Sequence, residues 1–109
     1  MLMCTAKELE SGKLLSRIVV AEAMRIKAID EEGADAEAYD AVHGDEISAL
    51  LVRSFRLPRI EFRSENELSG FVRGAADGSG VFFNDPRCYG YLRDCVAGCL
   101  DGFGCFQED

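Results

Sequence analysis

The 109-residue chain has no tryptophan, two prolines, one histidine and no apolar run longer than four residues, Ile18 to Ala21 being such a run. A bilayer crossing takes about 20 consecutive apolar residues, so no segment reads as a transmembrane helix. The opening MLMCTAKEL has no charged n-region followed by an apolar h-region, and the expected location is the cytoplasm. Five cysteines in such a chain read as reduced thiols, because an odd number cannot pair fully within one molecule. With 48% apolar residues and so few prolines, a single compact domain over residues 1–109 is expected rather than a disordered segment.

Catalytic patterns are also missing. The loop Asp77-Gly-Ser-Gly80 lacks the lysine of a Walker motif and the order of a dinucleotide fingerprint, and Val81, Phe82 and Phe83 follow where a calcium loop needs more oxygen ligands. His43 is the sole imidazole and stands beside Gly44, where a helix C-terminal cap is expected rather than a base. No oxyanion loop or ordered Cys-His pair is visible, so the chain is expected not to be an enzyme.

What the chain has instead is concentrated charge. Residues 30–46, DEEGADAEAYDAVHGDE, hold Asp30, Glu31, Glu32, Asp35, Glu37, Asp40, Asp45 and Glu46 without one Lys or Arg. The net charge of −8 resides there, since basic and acidic residues balance elsewhere. The opposing reading of such a run is a solvated face, but crowded like charges also repel one another until a basic partner relieves them. With a pI near 4.6, direct nucleic-acid binding is disfavoured, and the basic cluster of Arg53, Arg56, Arg59 and Arg63 would work against the long-range field.

Periodicity predicts an α+β domain, mostly helical, in the order α-α-α-β-α-β-α. Thr5 and Glu8 have capping-box spacing, and after Gly12 a long helix runs from Lys13 to Ile29 with Leu14, Leu15, Ile18, Val19, Ala21, Ile26 and Ile29 as core. Gly33 supplies a left-handed cap. A second helix, Ala34 to His43, would turn Asp35, Glu37 and Asp40 outward and Ala38, Ala41 and Val42 inward, and Gly44 would end it. Asp45 would cap a third, Glu46 to Arg56, with Ile47, Leu50, Leu51 and Phe55 inside. Arg59 to Arg63 alternates like a strand, Ser64 and Glu67 cap a short helix with Leu68, Phe71 and Val72 inside, and AADGSG forms a loop. Val81 to Phe83 reads as a second strand, and Asp85-Pro86 opens a last helix to Leu100.

Cys88, Cys95, Cys99 and Cys105 lack paired CxxC spacing. Cys88, Leu92, Cys95, Val96 and Cys99 trace an apolar stripe, which favours packing. A small thiol or zinc protein, using these cysteines for structural metal or redox sensing, is the alternative function, and no cofactor is expected on the main reading.

In size and charge the chain resembles the small acidic inhibitors made by phages, including anti-CRISPR proteins, and the acidic immunity proteins that neutralise nuclease toxins. That resemblance assigns no residue. It implies a non-enzymatic protein that inhibits a basic, nucleic-acid-handling partner such as a nuclease; the partner-binding residues expected from the acidic run itself are Glu31, Glu32, Asp35, Glu37, Asp40, Asp45 and Glu46, which would mimic nucleic acid. A homodimer through the last helix, with Phe103 and Phe106 beyond it, is a further expectation.

Overall fold

Four helices carry the chain: α1 (Ala6–Ile26), α2 (Ala36–Ser54), α3 (Glu65–Gly78) and α4 (Arg87–Leu100). The computed structural model describes residues 6–54 and 62–100, with side chains from 12 to 53 and from 62 to 98. α1 is the hub, packing against each of the other three, and α3 and α4 also pack on each other. None of the helices described is long and apolar enough to cross a membrane.

Leu15, Val19, Ala23 and Ile26 recur at three-and-four spacing and form one face of α1. They meet Leu68, Val72 and Ala76 of α3 and Cys88, Leu92 and Val96 of α4, with Phe62, Val81 and Phe83 closing the ends. Leu14 and Ile18, on a neighbouring stripe, meet Leu50 of α2. α1 is therefore packed on two sides.

The expected α+β arrangement of five helices and two strands is overturned, since the described residues form four helices and no strand. Thr5 lies outside the described residues, and α1 passes through Gly12 unbroken. The second and third expected helices are one, α2, which runs through Gly44 with Asp45 in its interior rather than at a cap. A helical glycine costs about 1 kcal/mol relative to alanine, and the surrounding Ala, Leu and Glu residues offset it. Fusing the helices also fixes their face: Tyr39, His43, Ile47 and Leu50 turn inward, so Ala38, Ala41 and Val42, expected near the core, are exposed.

Residues 59–61 of the expected first strand lie outside the described residues. Phe62 is buried against Phe71, with ring centroids 5.6 Å apart. Val81 to Phe83 keeps the in-out alternation of a strand, with Val81 and Phe83 buried and Phe82 58% exposed. Its polar groups are met by side chains instead of a ladder: the Phe82 carbonyl accepts from Lys27 Nζ and the Phe83 amide donates to the Tyr89 hydroxyl. The AADGSG segment is mostly helix, because α3 continues to Gly78. It ends in a Schellman cap in which Val81 N donates to Ala76 O and Gly80 N to Asp77 O, with Gly80 at φ +83°.

Two capping expectations hold. Ser64 Oγ accepts from Glu67 N at 3.3 Å, while Glu67 Oε2 reaches back to Arg63 N. Asp85 Oδ1 accepts from Arg87 N at 3.0 Å at the start of α4.

Candidate functional site

The acidic run divides into carboxylates that hold the fold and carboxylates that face solvent. After Ile26 the helix widens into a π turn, Lys27–Glu31, closed by Glu32 N donating to Lys27 O at 3.1 Å. Gly33 at φ +75° then turns the chain, and Ala34 N donates to Ala28 O at 2.8 Å. This widened turn carries Glu31 to the segment that opens α4. There its carboxylate accepts from Asn84 N at 3.1 Å and Asp85 N at 2.9 Å, with Lys27 Nζ at 3.1 Å on the other side. These two amides and the ammonium hold the Glu31 carboxyl below the usual carboxylate range. Glu31 is thus an internal brace.

Asp35 Oδ2 accepts from Ala38 N at 3.0 Å and caps α2. Asp40 makes a two-pronged pair with Arg25 of α1, Nε to Oδ1 at 2.7 Å and Nη2 to Oδ2 at 3.0 Å. That guanidinium keeps the Asp40 carboxyl below its ordinary range. Glu32, Glu37, Asp45 and Glu46 are exposed, and no ion pair to any of them occurs among the described residues. The structure therefore brings Glu37 and Asp45 to the outer side of α2, separates Glu31 from them, and neutralises Asp40.

The same outer side of α2 is apolar between its charges. Val42 is 73% exposed and Val52 56%. Asp45 lies between them, three residues after Val42 and seven before Val52, so Val42, Asp45 and Val52 share one side of the helix. Leu50, 8% exposed, is the one buried side chain that α2 supplies among the described residues.

On the opposite side of α2, a groove of about 950 Å³ runs along α1, with Val20, Met24 and Ala28 as floor and Tyr39, His43, Glu46, Ile47 and Arg53 as one wall. Ser79, Gly80 and Val81 form the other wall. His43, expected as a terminal cap, is instead mid-helix and stacks on Tyr39 with ring centroids 4.4 Å apart.

The cysteines described are core atoms. Cys88 is buried and Cys95 half-buried, and both thiols are pushed up, first by burial. Thiols held in that direction are poor nucleophiles at neutral pH. Cys105 lies outside the described residues, as does the side chain of Cys99, and no group of three metal-ligating side chains gathers among the described ones. Tyr89 is tied inward: its hydroxyl donates to Asp77 Oδ1 at 2.9 Å and its ring lies edge-on to Phe83. Tyr91 is 50% exposed and hydrogen-bonds Cys95 one turn on.

Sequence reasoning missed the Arg25–Asp40 pair, the Glu31 brace and the buried carboxyl of Glu22, which is 8% exposed. Each joins or faces elements far apart in the chain, and no local spacing marks it. Comparison of the chain with protein-family models, with curated proteins and with solved structures finds no match.

Proposed function

We propose that this chain is a small acidic, non-enzymatic binding protein that inhibits a basic, nucleic-acid-handling partner, and that it docks through the outer side of α2. The observation that carries the reading is the composition of that side. Glu37 and Asp45 stand free of ion pairs among the described residues, beside Val42 and Val52, which are largely in solvent. Charges of one sign speed encounter with a basic groove, and apolar contact at the centre of the patch slows release. A surface built to hold phosphate is basic for the same electrostatic reason, so it is a natural target for a row of carboxylates.

The intramolecular roles of Glu31, Asp35 and Asp40 decide how this is tested. Reversing Asp35 or Asp40 would remove a helix cap or an interhelix pair, so the informative variant is Glu37→Lys with Asp45→Lys. Wild-type protein and this variant are used as baits in a bacterial lysate at low and high salt, and captured proteins are then tested for inhibition after purification. The expected outcome is a basic nucleic-acid enzyme retained by the wild type, released as salt rises, inhibited on rebinding and ignored by the variant. Identical protein sets on both baits, with equal melting temperatures, would reduce the acidic side to a solvated face.

A further inference from the structure

The groove on the opposite side of α2 is a second surface, and its argument is independent of the acidic one. Its floor is the side of α1 that none of the described helices covers, and Met24 at its centre is 52% exposed. Its charges are ordered along its length. α1 and α2 run antiparallel, since Arg25 pairs with Asp40 near one end of α2 while Leu14 and Ile18 meet Leu50 near the other. Arg17 and Arg53 both line the groove at the Leu50 end, and neither has an ion pair among the described residues. Glu46, on the α2 wall between His43 and Leu50, and Glu32, at the far end, are the carboxylates that line it. Lys27, close by, is already engaged by Glu31 and the Phe82 carbonyl.

We infer that this groove receives an amphipathic helix from a partner protein, with an apolar stripe on Val20, Met24 and Ile47, acidic side chains beside Arg17 and Arg53, and a basic one beside Glu32. From Arg17 to Ala28 α1 and the start of the π turn rise about 16 Å, the length of roughly three helical turns. Two antiparallel helices with an apolar seam between them form the cradle used in helix-in-groove recognition. The unbranched Met24 adapts to whatever packs on it. A small molecule fits less well, because the groove is only about half enclosed and a small ligand typically buries about 70–90% of its surface.

The test is a titration of the isotopically labelled protein, followed by amide shifts, with a synthetic 16-residue helix. The peptide carries a leucine stripe at three-and-four spacing, two glutamates in one end turn and two lysines in the other. A control peptide replaces the glutamates by lysine. Saturable shifts at Val20, Met24, His43 and Ile47 are expected, with affinity at least tenfold weaker for the control peptide and for the Arg17→Glu/Arg53→Glu variant, and lost in Met24→Asp. These three side chains are exposed, and unchanged melting temperatures check that the variants fold. Absence of saturable shifts, equal affinity for both peptides, or shifts centred on Val42 and Val52 would overturn the inference. So would groove shifts that grow with protein concentration before any peptide is added, because they would make a second copy the occupant.

Discussion

α1 has two packed sides, and they differ in what they bury. Toward α3 and α4 it contributes to a core with Leu92, Val96, Val72 and Ala76 essentially sealed from solvent; toward α2 the seam is Leu14, Ile18 and Leu50, with Ala21 and Leu51 partly covered. Burying a large aliphatic side chain contributes about 1.5–3 kcal/mol, so the first side sets the stability of the domain and the second decides only whether α2 stays docked. Val42 and Val52 and the exposed Glu37 and Asp45 on the outer side of α2 are the features on which the proposed docking rests. Cooperative units of unequal stability within one chain are expected when the number of buried apolar side chains differs as it does between these two sides.

Leu92→Ala should break the comparison at its strong side. Leu92 is fully buried on α4, and the cavity left behind costs about 2–5 kcal/mol. Thermal unfolding would move down as a single transition, and amide exchange would speed in α1, α3 and α4 together.

Leu50→Ala acts on the weak side. The loss should fall at the low end of the roughly 2–5 kcal/mol typical of a buried Leu→Ala change, because once the helix leaves the seam nothing further is lost. Hydrogen exchange should show α2 amides losing protection while Val72, Val96 and their neighbours keep theirs. If α3 and α4 lost protection equally, the two sides would be one cooperative unit and the comparison would fail.

Glu31→Gln probes the brace between the π turn and the start of α4. A neutral amide cannot hold two backbone N–H groups and the Lys27 ammonium as a carboxylate does, so the melting temperature should fall by the amount typical of a lost helix cap. The sign with pH follows from the lowered position of Glu31. A depressed carboxyl stabilises the fold at pH above its unfolded value, and this is lost as pH falls through the folded value. The difference between wild type and Glu31→Gln should therefore be full at neutral pH and close on acidification below the ordinary carboxylate range.

How much of this was legible in the sequence follows from the range of each interaction. The inner faces of α1, α3 and α4 were readable, because Leu15/Val19, Leu68/Val72 and Leu92/Val96 repeat at helical spacing and the Ser64, Asp85 and Gly33 signals are local. The chain from Gly44 to Asp45 was misread because a glycine followed by a good N-cap residue is a boundary in isolation and a tolerated interior in a long alanine- and leucine-rich helix. That error turned Val42 inward. Val81 to Phe83 was misread because alternation marks a half-buried extended segment, whereas a strand also needs a neighbour. Of the acidic run, its existence was visible but its division was not: Glu31 and Glu32 are adjacent and alike in sequence, and only the π turn sends one to the α4 entry and leaves the other at the groove.

The smallest effect expected comes from Glu22, where α1 faces both flanks at once. Its carboxyl is nearly buried, with Arg25 on its own helix, Asp40 on α2 and Cys95 on α4 within electrostatic reach. Burial raises it first, Arg25 opposes, and Asp40 adds to the rise. A raised carboxyl stabilises the fold at pH below its unfolded value, and that contribution is lost as pH rises through the folded value. Glu22→Gln keeps the shape without the charge, so its melting temperature should exceed that of the wild type slightly at neutral pH and match it in acid, the reverse of Glu31→Gln. Because Arg25 partly offsets the burial, the gain should grow when Arg25→Gln is added to both proteins. A gain that did not depend on Arg25 would mean that Glu22 reports on the α4 side alone, and that the charge pair between α1 and α2 is electrically separate from the core it borders.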